Sequence, residues 1–133
     1  MGDEAPGSAS ARHFTLEEAN ATLPSVIPLV EVLRDAHVVM EKLHDQVMES
    51  VPTNGGGETH RSFIDASGEA AKAMHRLNKM GVVVRDPANG LIDFPTVREG
   101  REAFLCWKLG EGGSIGFWHP PETGFAGRQP VEG

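Results

Sequence analysis

The apolar residues of this chain repeat with a helical period as far as Met80 and with a strand period after Gly81. In the first part, Leu29, Leu33, Ala36, Met40, Leu43 and Val47 step by three or four, and so do Phe63, Ala66, Ala70, Ala73, Leu77 and Met80. Such spacing puts each set on one helix face. From Val82 onward, short runs of alternating residues are broken by Pro, Asn and Gly, the mark of strands joined by turns. Two helices followed by a meander have few stable arrangements. The expected fold is α+β: a long antiparallel helical hairpin packed on a small antiparallel β-meander of three or four strands.

The first helix has a defined start. Thr15 and Glu18 form a capping box, in which each side chain serves the other's backbone N–H, and Phe14 can staple onto Ala19. Pro24 and Pro28 follow. Proline lacks the helix donor and clashes one turn back, so the reading places a kink or break at Leu23 to Ser25. A main helix of ~35 Å then runs from about Val26 to Glu49. Pro52 to Glu58 reads as a loop, His60 to Met80 as the second helix, and Gly81 as its left-handed terminator. The alanine-rich middle of the second seam lets the two helices approach closely.

The expected strands are Val82 to Asp86, Leu91 to Phe94 (ended by Pro95), Arg101 to Leu109, and Ser114 to His119, with Glu122 to Gly133 irregular. On the third strand Ala103, Leu105 and Trp107 share one face, and Phe104, Cys106 and Lys108 the other. Neither face is cleanly polar, so both are expected to be covered, in part by the chain or by a dimer. Residues 12–131 form one domain, with a hairpin at 12–81 and the meander and C-terminal loop at 82–131. Residues 1–11, rich in small and polar side chains, read as a disordered tail.

The formal charge is −7 over 133 residues, which argues against nucleic acid or an anionic membrane as the main partner. A single cysteine excludes an internal disulfide and fits a reducing compartment. With no apolar leader and no long apolar run, the expected location is the cytoplasm.

The chemistry-bearing residues gather between Gly90 and Pro130. Asp93, Cys106, Glu111 and His119 offer carboxylate, thiolate and imidazole, the usual ligands of one divalent metal ion such as zinc or iron. Adjacent antiparallel strands could bring them together. The ordinary alternative makes Cys106 a small core residue, Glu111 a turn residue and His119 a strand-end imidazole. Arg128 could present its guanidinium to a carboxylate or phosphate ligand, or pair internally with Asp93 or Glu111. Trp107 and Trp118 could line a small-ligand pocket, or be core. Cys106 with His119 as a catalytic pair would need an exposed, electropositive thiol. His37, Glu41 and His44 share a helix face, and Glu41 and His44 have a di-iron bundle spacing. A di-iron bundle needs a second such motif, and the second helix has only Glu69 and His75, on different faces. Asn20-Ala-Thr22 matches a glycosylation acceptor inside a predicted helix.

A set of blocks then stands out in order: His13 to Asn20 with Leu23-Pro24, Gly81-Val82, Gly90 to Pro95, Gly100-Arg101, Leu105 to Glu111, Trp118-His119 and Gly124 to Pro130. Together they resemble a prokaryotic family of uncharacterised proteins, domain of unknown function 2203, over about residues 12–131. The resemblance implies no activity. It implies that motif positions cluster around Asp93, Cys106, Trp107, Glu111, His119 and Arg128.

The sequence therefore supports a metal- or small-ligand-binding module with its site on the C-terminal sheet. One alternative is a structural or interaction module whose helical hairpin forms a homodimer. The other is a metal-dependent enzyme with Glu111 or Asp93 as general base.

Overall fold

The computed structural model describes residues 12–50 and 57–132. The tail expected at residues 1–11 and most of the expected interhelical loop lie outside the described residues. Two helices, α1 (Leu16–Ser50) and α2 (Gly57–Lys79), precede a five-stranded antiparallel sheet. Its strands are β1 (Val83–Asp86), β2 (Leu91–Arg98), β3 (Arg101–Lys108), β4 (Phe117–His119) and β5 (Gln129–Pro130), and they neighbour one another in chain order.

The capping box forms as expected. Thr15 N donates to Glu18 Oε1 at 2.9 Å, and Glu18 N donates to Thr15 Oγ1 at 3.0 Å. The expected break does not form: α1 runs unbroken through Pro24 and Pro28. Both prolines are exposed and stand four apart, so the helix loses its donors on one solvent-facing side, where water can serve the freed carbonyls. The opposite side is the anchor. Ala19, Leu23, Val26, Val30 and Leu33 are all fully buried, and their steps of four and three extend the predicted seam nearly three turns upstream, straight across the prolines. In α2 the buried residues are Ala66, Ala70, Ala73 and Leu77, as its spacing predicts. Gly81, at φ 88°, ends it in a Schellman arrangement, with Val82 N donating to Leu77 O at 3.0 Å.

The sheet presents Ile92, Phe94, Leu105 and Trp107 to the helices, and these join Phe14, Leu23, Leu33 and Leu77 in one core. Phe14 meets Phe94 edge to face at 5.1 Å. The second strand continues past Pro95 to Arg98, beyond the end that the sequence predicts at Phe94. The reason lies at its edge. β1 reaches only to Asp93, so no neighbouring strand asks Pro95 for an N–H. Instead Pro95 O accepts from Phe14 N at 2.7 Å, and Thr96 Oγ1 donates to Phe14 O at 2.5 Å. β5 is a further addition to the expected count: Gln129 and Pro130 pair with Trp118 and Phe117, within a stretch read as irregular. Gly90 turns β1 into β2 at φ 68°, and a Cβ there would lie 2.4 Å from Leu109 Cδ1. Only glycine fits that turn without displacing Leu109.

Candidate metal and ligand site

Strand register assembles the site. Asp93 on β2 lies directly opposite Cys106 on β3, and Cys106 lies opposite Phe117 on β4. His119, two residues beyond Phe117, shares its face and reaches back toward Asp93. These residues occupy the sheet face turned away from the helices, and Pro121 to Phe125 of the C-terminal segment close over it. Asp93, Cys106 and His119 are buried, at 1%, 1% and 2% exposure. Their ligand atoms all lie within 4.8 Å of one another.

The hydrogen bonds orient the three side chains. His119 Nδ1 is 2.7 Å from Pro120 O, and a carbonyl only accepts, so this nitrogen carries a proton. Nε2 is thereby left facing Asp93 Oδ2, at 2.9 Å. Arg85 Nε donates to the same oxygen at 2.8 Å. Asp93 Oδ1 is buried and accepts no well-formed hydrogen bond, although the Cys106 thiol is set against this carboxylate as a weak donor. A buried carboxylate oxygen without a partner is costly and uncommon in a folded protein.

Cys106 sits beside this group with Arg128 Nη1 3.7 Å from its Sγ. Burial, and then the Asp93 charge, push the thiol pKa up to about 12, although Arg128 pulls in the other direction. At neutral pH Cys106 is therefore a protonated, enclosed thiol, the opposite of the setting a nucleophilic pair with His119 requires. Arg128 is itself clamped. Its guanidinium lies 4.0 Å from the Phe117 ring centre and 4.3 Å from that of Phe125. It donates to both Glu111 oxygens, at 3.2 and 2.7 Å. Burial acts to lower the Arg128 pKa, but its bonds to Glu111 and Cys106 outweigh this, and the pKa is raised.

The expected set is thus divided. Asp93, Cys106 and His119 come together. Glu111 is engaged with Arg128 and with Lys108 N, at 3.0 Å, so it orients the guanidinium and does not join the three. Trp107 and Trp118 alternate with Cys106 and His119 along their strands, and so turn to the other face. Trp107 is buried in the core, with Nε1 donating to Gly112 O at 2.9 Å. Trp118 lies under the Arg98 guanidinium at 4.6 Å and lines a separate groove of about 620 Å³ with Arg98, Arg101 and Pro120. Arg85 is not among the candidate residues that the sequence singles out. Its place on the site follows from a register shift between Val84 and Asp86, which no local pattern announces. The one available signal was a lone cation ending a run of three valines.

The remaining motifs have local roles. His37 Nδ1 donates to Leu33 O at 3.2 Å. Among the described residues no group of three metal-ligating side chains forms apart from Asp93, Cys106 and His119. Asn20 Oδ1 accepts from Ile115 N at 2.7 Å and so braces the β3–β4 connection to α1.

The family profile described as "Uncharacterized conserved protein (DUF2203)" matches residues 12–131. The chain belongs to this family. Within DUF2203, the match takes in both helices and the whole sheet, including each site residue named above. No curated protein and no solved structure matches the chain. Among the described residues, no helix of this DUF2203 protein is long and apolar enough to cross a membrane.

Proposed function

We propose that this protein binds one divalent metal ion through Asp93, Cys106 and His119. The supporting observation is the convergence of three buried side chains whose ligand atoms lie within 4.8 Å of one another, with one oxygen of the single carboxylate left without a well-formed hydrogen bond. Ligand atoms around a tetrahedral zinc stand roughly 3.3–3.8 Å apart, from bond lengths near 2.0–2.3 Å. Closing the widest gap here needs a contraction of about 1 Å by that measure. The arrangement around the ligands favours this reading. The bond from His119 Nδ1 to a backbone carbonyl is the usual outer contact of a metal-bound imidazole, fixing which nitrogen faces the ion. Asp93 Oδ1, Cys106 Sγ and His119 Nε2 would hold the ion, while Arg85 keeps the carboxylate in place through Oδ2. Carboxylate, thiolate and imidazole together suit zinc or ferrous iron better than magnesium or calcium.

Three protein ligands leave a tetrahedral ion one position for a non-protein ligand, the pattern of metal sites that act on small molecules. That favours a ligand-binding or catalytic use over a purely structural one. Elemental analysis of untagged protein tests the reading. About one equivalent of metal is expected in wild type, and none in Cys106→Ser or His119→Ala. Metal-free wild type that also fails to take up zinc or ferrous iron would refute it. The reading of self-association through the hairpin rests on exposed Val38, Val39, Met48 and Ile64. A homodimer whose mass is independent of concentration, and is lost on Val39→Glu, would favour it.

A further inference from the structure

The cleft that reaches the three candidate ligands has a second polar wall. Its volume is about 330 Å³, at the small end of the range for sites that enclose small molecules. Arg85 forms part of the wall, and its side chain is 43% exposed. Its Nε is committed to Asp93 Oδ2, and its guanidinium carbon lies 4.8 Å from the Phe104 ring centre. Among the described residues neither of its Nη atoms has a hydrogen-bond partner. Arg85 and His119 meet on the same carboxylate oxygen, so the unused side of the fork stands one carboxylate away from the ligand set.

Charge balance gives this wall its meaning. Without metal, Asp93 is shared by Arg85 and His119, and Arg128 offsets Glu111. A divalent ion held by one carboxylate and one thiolate would be neutralised by those two ligands. Arg85 would then carry an uncompensated positive charge beside a buried centre. Glu122 lines the same cleft and is exposed, as Arg85 is; no ion pair joins the two among the described residues, so the free edge of the guanidinium stays open to an anion. One guanidinium edge is free, and it matches the two oxygens of a single carboxylate. The other walls include Leu91, Pro121 and Phe125, which suit carbon more than a fully hydrated phosphate.

We infer that the cleft takes a small organic monocarboxylate, gripped by Arg85 through a bidentate guanidinium–carboxylate contact and placed against the metal held by Asp93, Cys106 and His119. The inference rests on the metal reading above. It assigns Arg85 as the residue that selects the ligand's charge, with the apolar wall accommodating its carbon chain.

The test uses the full chain loaded with cobalt(II), whose absorption reports both thiolate ligation and changes in the coordination sphere. Propionate is titrated, with inorganic phosphate in parallel. Wild type is expected to show a saturable spectral change with propionate, and a weaker or absent one with phosphate. Arg85→Ala is expected to weaken the propionate response about tenfold or more, the usual value of a charge-assisted bond. Arg85→Lys should keep part of it, and carries the comparison if Arg85→Ala loses cobalt. A thiolate–cobalt band that propionate never perturbs, or perturbs equally in wild type and both variants, would overturn the carboxylate site and leave the metal reading standing. Tighter binding of phosphate than of propionate would overturn the carboxylate assignment. Absence of any thiolate–cobalt band would overturn both readings together.

Discussion

Replacing Arg128 with alanine tests whether the C-terminal segment is held over the sheet by one side chain. Arg128 is 11% exposed and Glu111 24% exposed, so their bidentate pair is shielded but still reached by water. Charge-assisted hydrogen bonds are worth about 1.5–3 kcal/mol. Contacts with two aromatic rings, Phe117 and Phe125, add about 0.5–1 kcal/mol each at such depth. Truncation also leaves Glu111 half-enclosed with only Lys108 N as a partner. Together these place the loss at about 3–4 kcal/mol, in the lower part of the 3–5 kcal/mol range for breaking a fully buried pair. For a chain of 133 residues that is a fall in Tm of roughly 10–15 °C. Urea unfolding of Arg128→Ala, Glu111→Ala and the double variant gives a cycle, and a coupling of at least about 1.5 kcal/mol is expected. The Cys106 thiol should also become accessible to an alkylating reagent in Arg128→Ala, because the wall above it loosens. A loss under about 1 kcal/mol with negligible coupling would show that the pair is incidental and the segment is held by other contacts.

Two further outcomes follow from the core and the helix. In metal-free protein the Cys106 thiol is pushed up to about 12 from 9.0, so between those values the unfolded chain releases a proton that the folded one keeps. Stability from this group is intact below pH 9 and declines above it by up to about 1.4 kcal/mol per pH unit. Urea unfolding at pH 8 and pH 10 should show this slope in wild type and not in Cys106→Ala; equal slopes would contradict it. Pro24→Ala and Pro28→Ala each restore a helix donor on the exposed side of α1. Alanine exceeds proline by ~3 kcal/mol in a helix interior, offset by about 1 kcal/mol of unfolded-chain entropy. Each variant should therefore be more stable by roughly 1–2 kcal/mol in urea unfolding, and destabilisation would mean that the prolines are required for the helix path.

The parts of this structure legible in the sequence are those governed by neighbours in the chain. The Thr15–Glu18 box, the α2 seam, the terminator Gly81 and the turn at Gly90 each depend on residues within a few positions, and each formed as read. Asp93, Cys106 and His119 were legible as candidates, together with Glu111, because their chemistry is uncommon in strands; the register between three strands is what brings them to one face. What could not be read depends on distant partners. The helix crosses Pro24 because the sheet and α2 bury Leu23 and Val26. Strand β2 passes Pro95 because Phe14, more than 80 residues away, supplies its missing neighbour. Glu111 left the expected ligand set because Arg128 returns to meet it, and Arg85 entered the site through a bulge.

The few long-range bonds bear on how the chain folds. The hairpin and the meander each close mainly through residues near in sequence, so both can form early and separately. They are joined by bonds of very different reach: Thr96 to Phe14 across 82 residues and Ile115 to Asn20 across 95. These act at the N-terminal end of α1, where its first turns dock against the sheet. Docking is then the step that carries the loop-closure cost. The N-terminal turns of α1 become a latch whose release opens the single core that the hairpin and the sheet share.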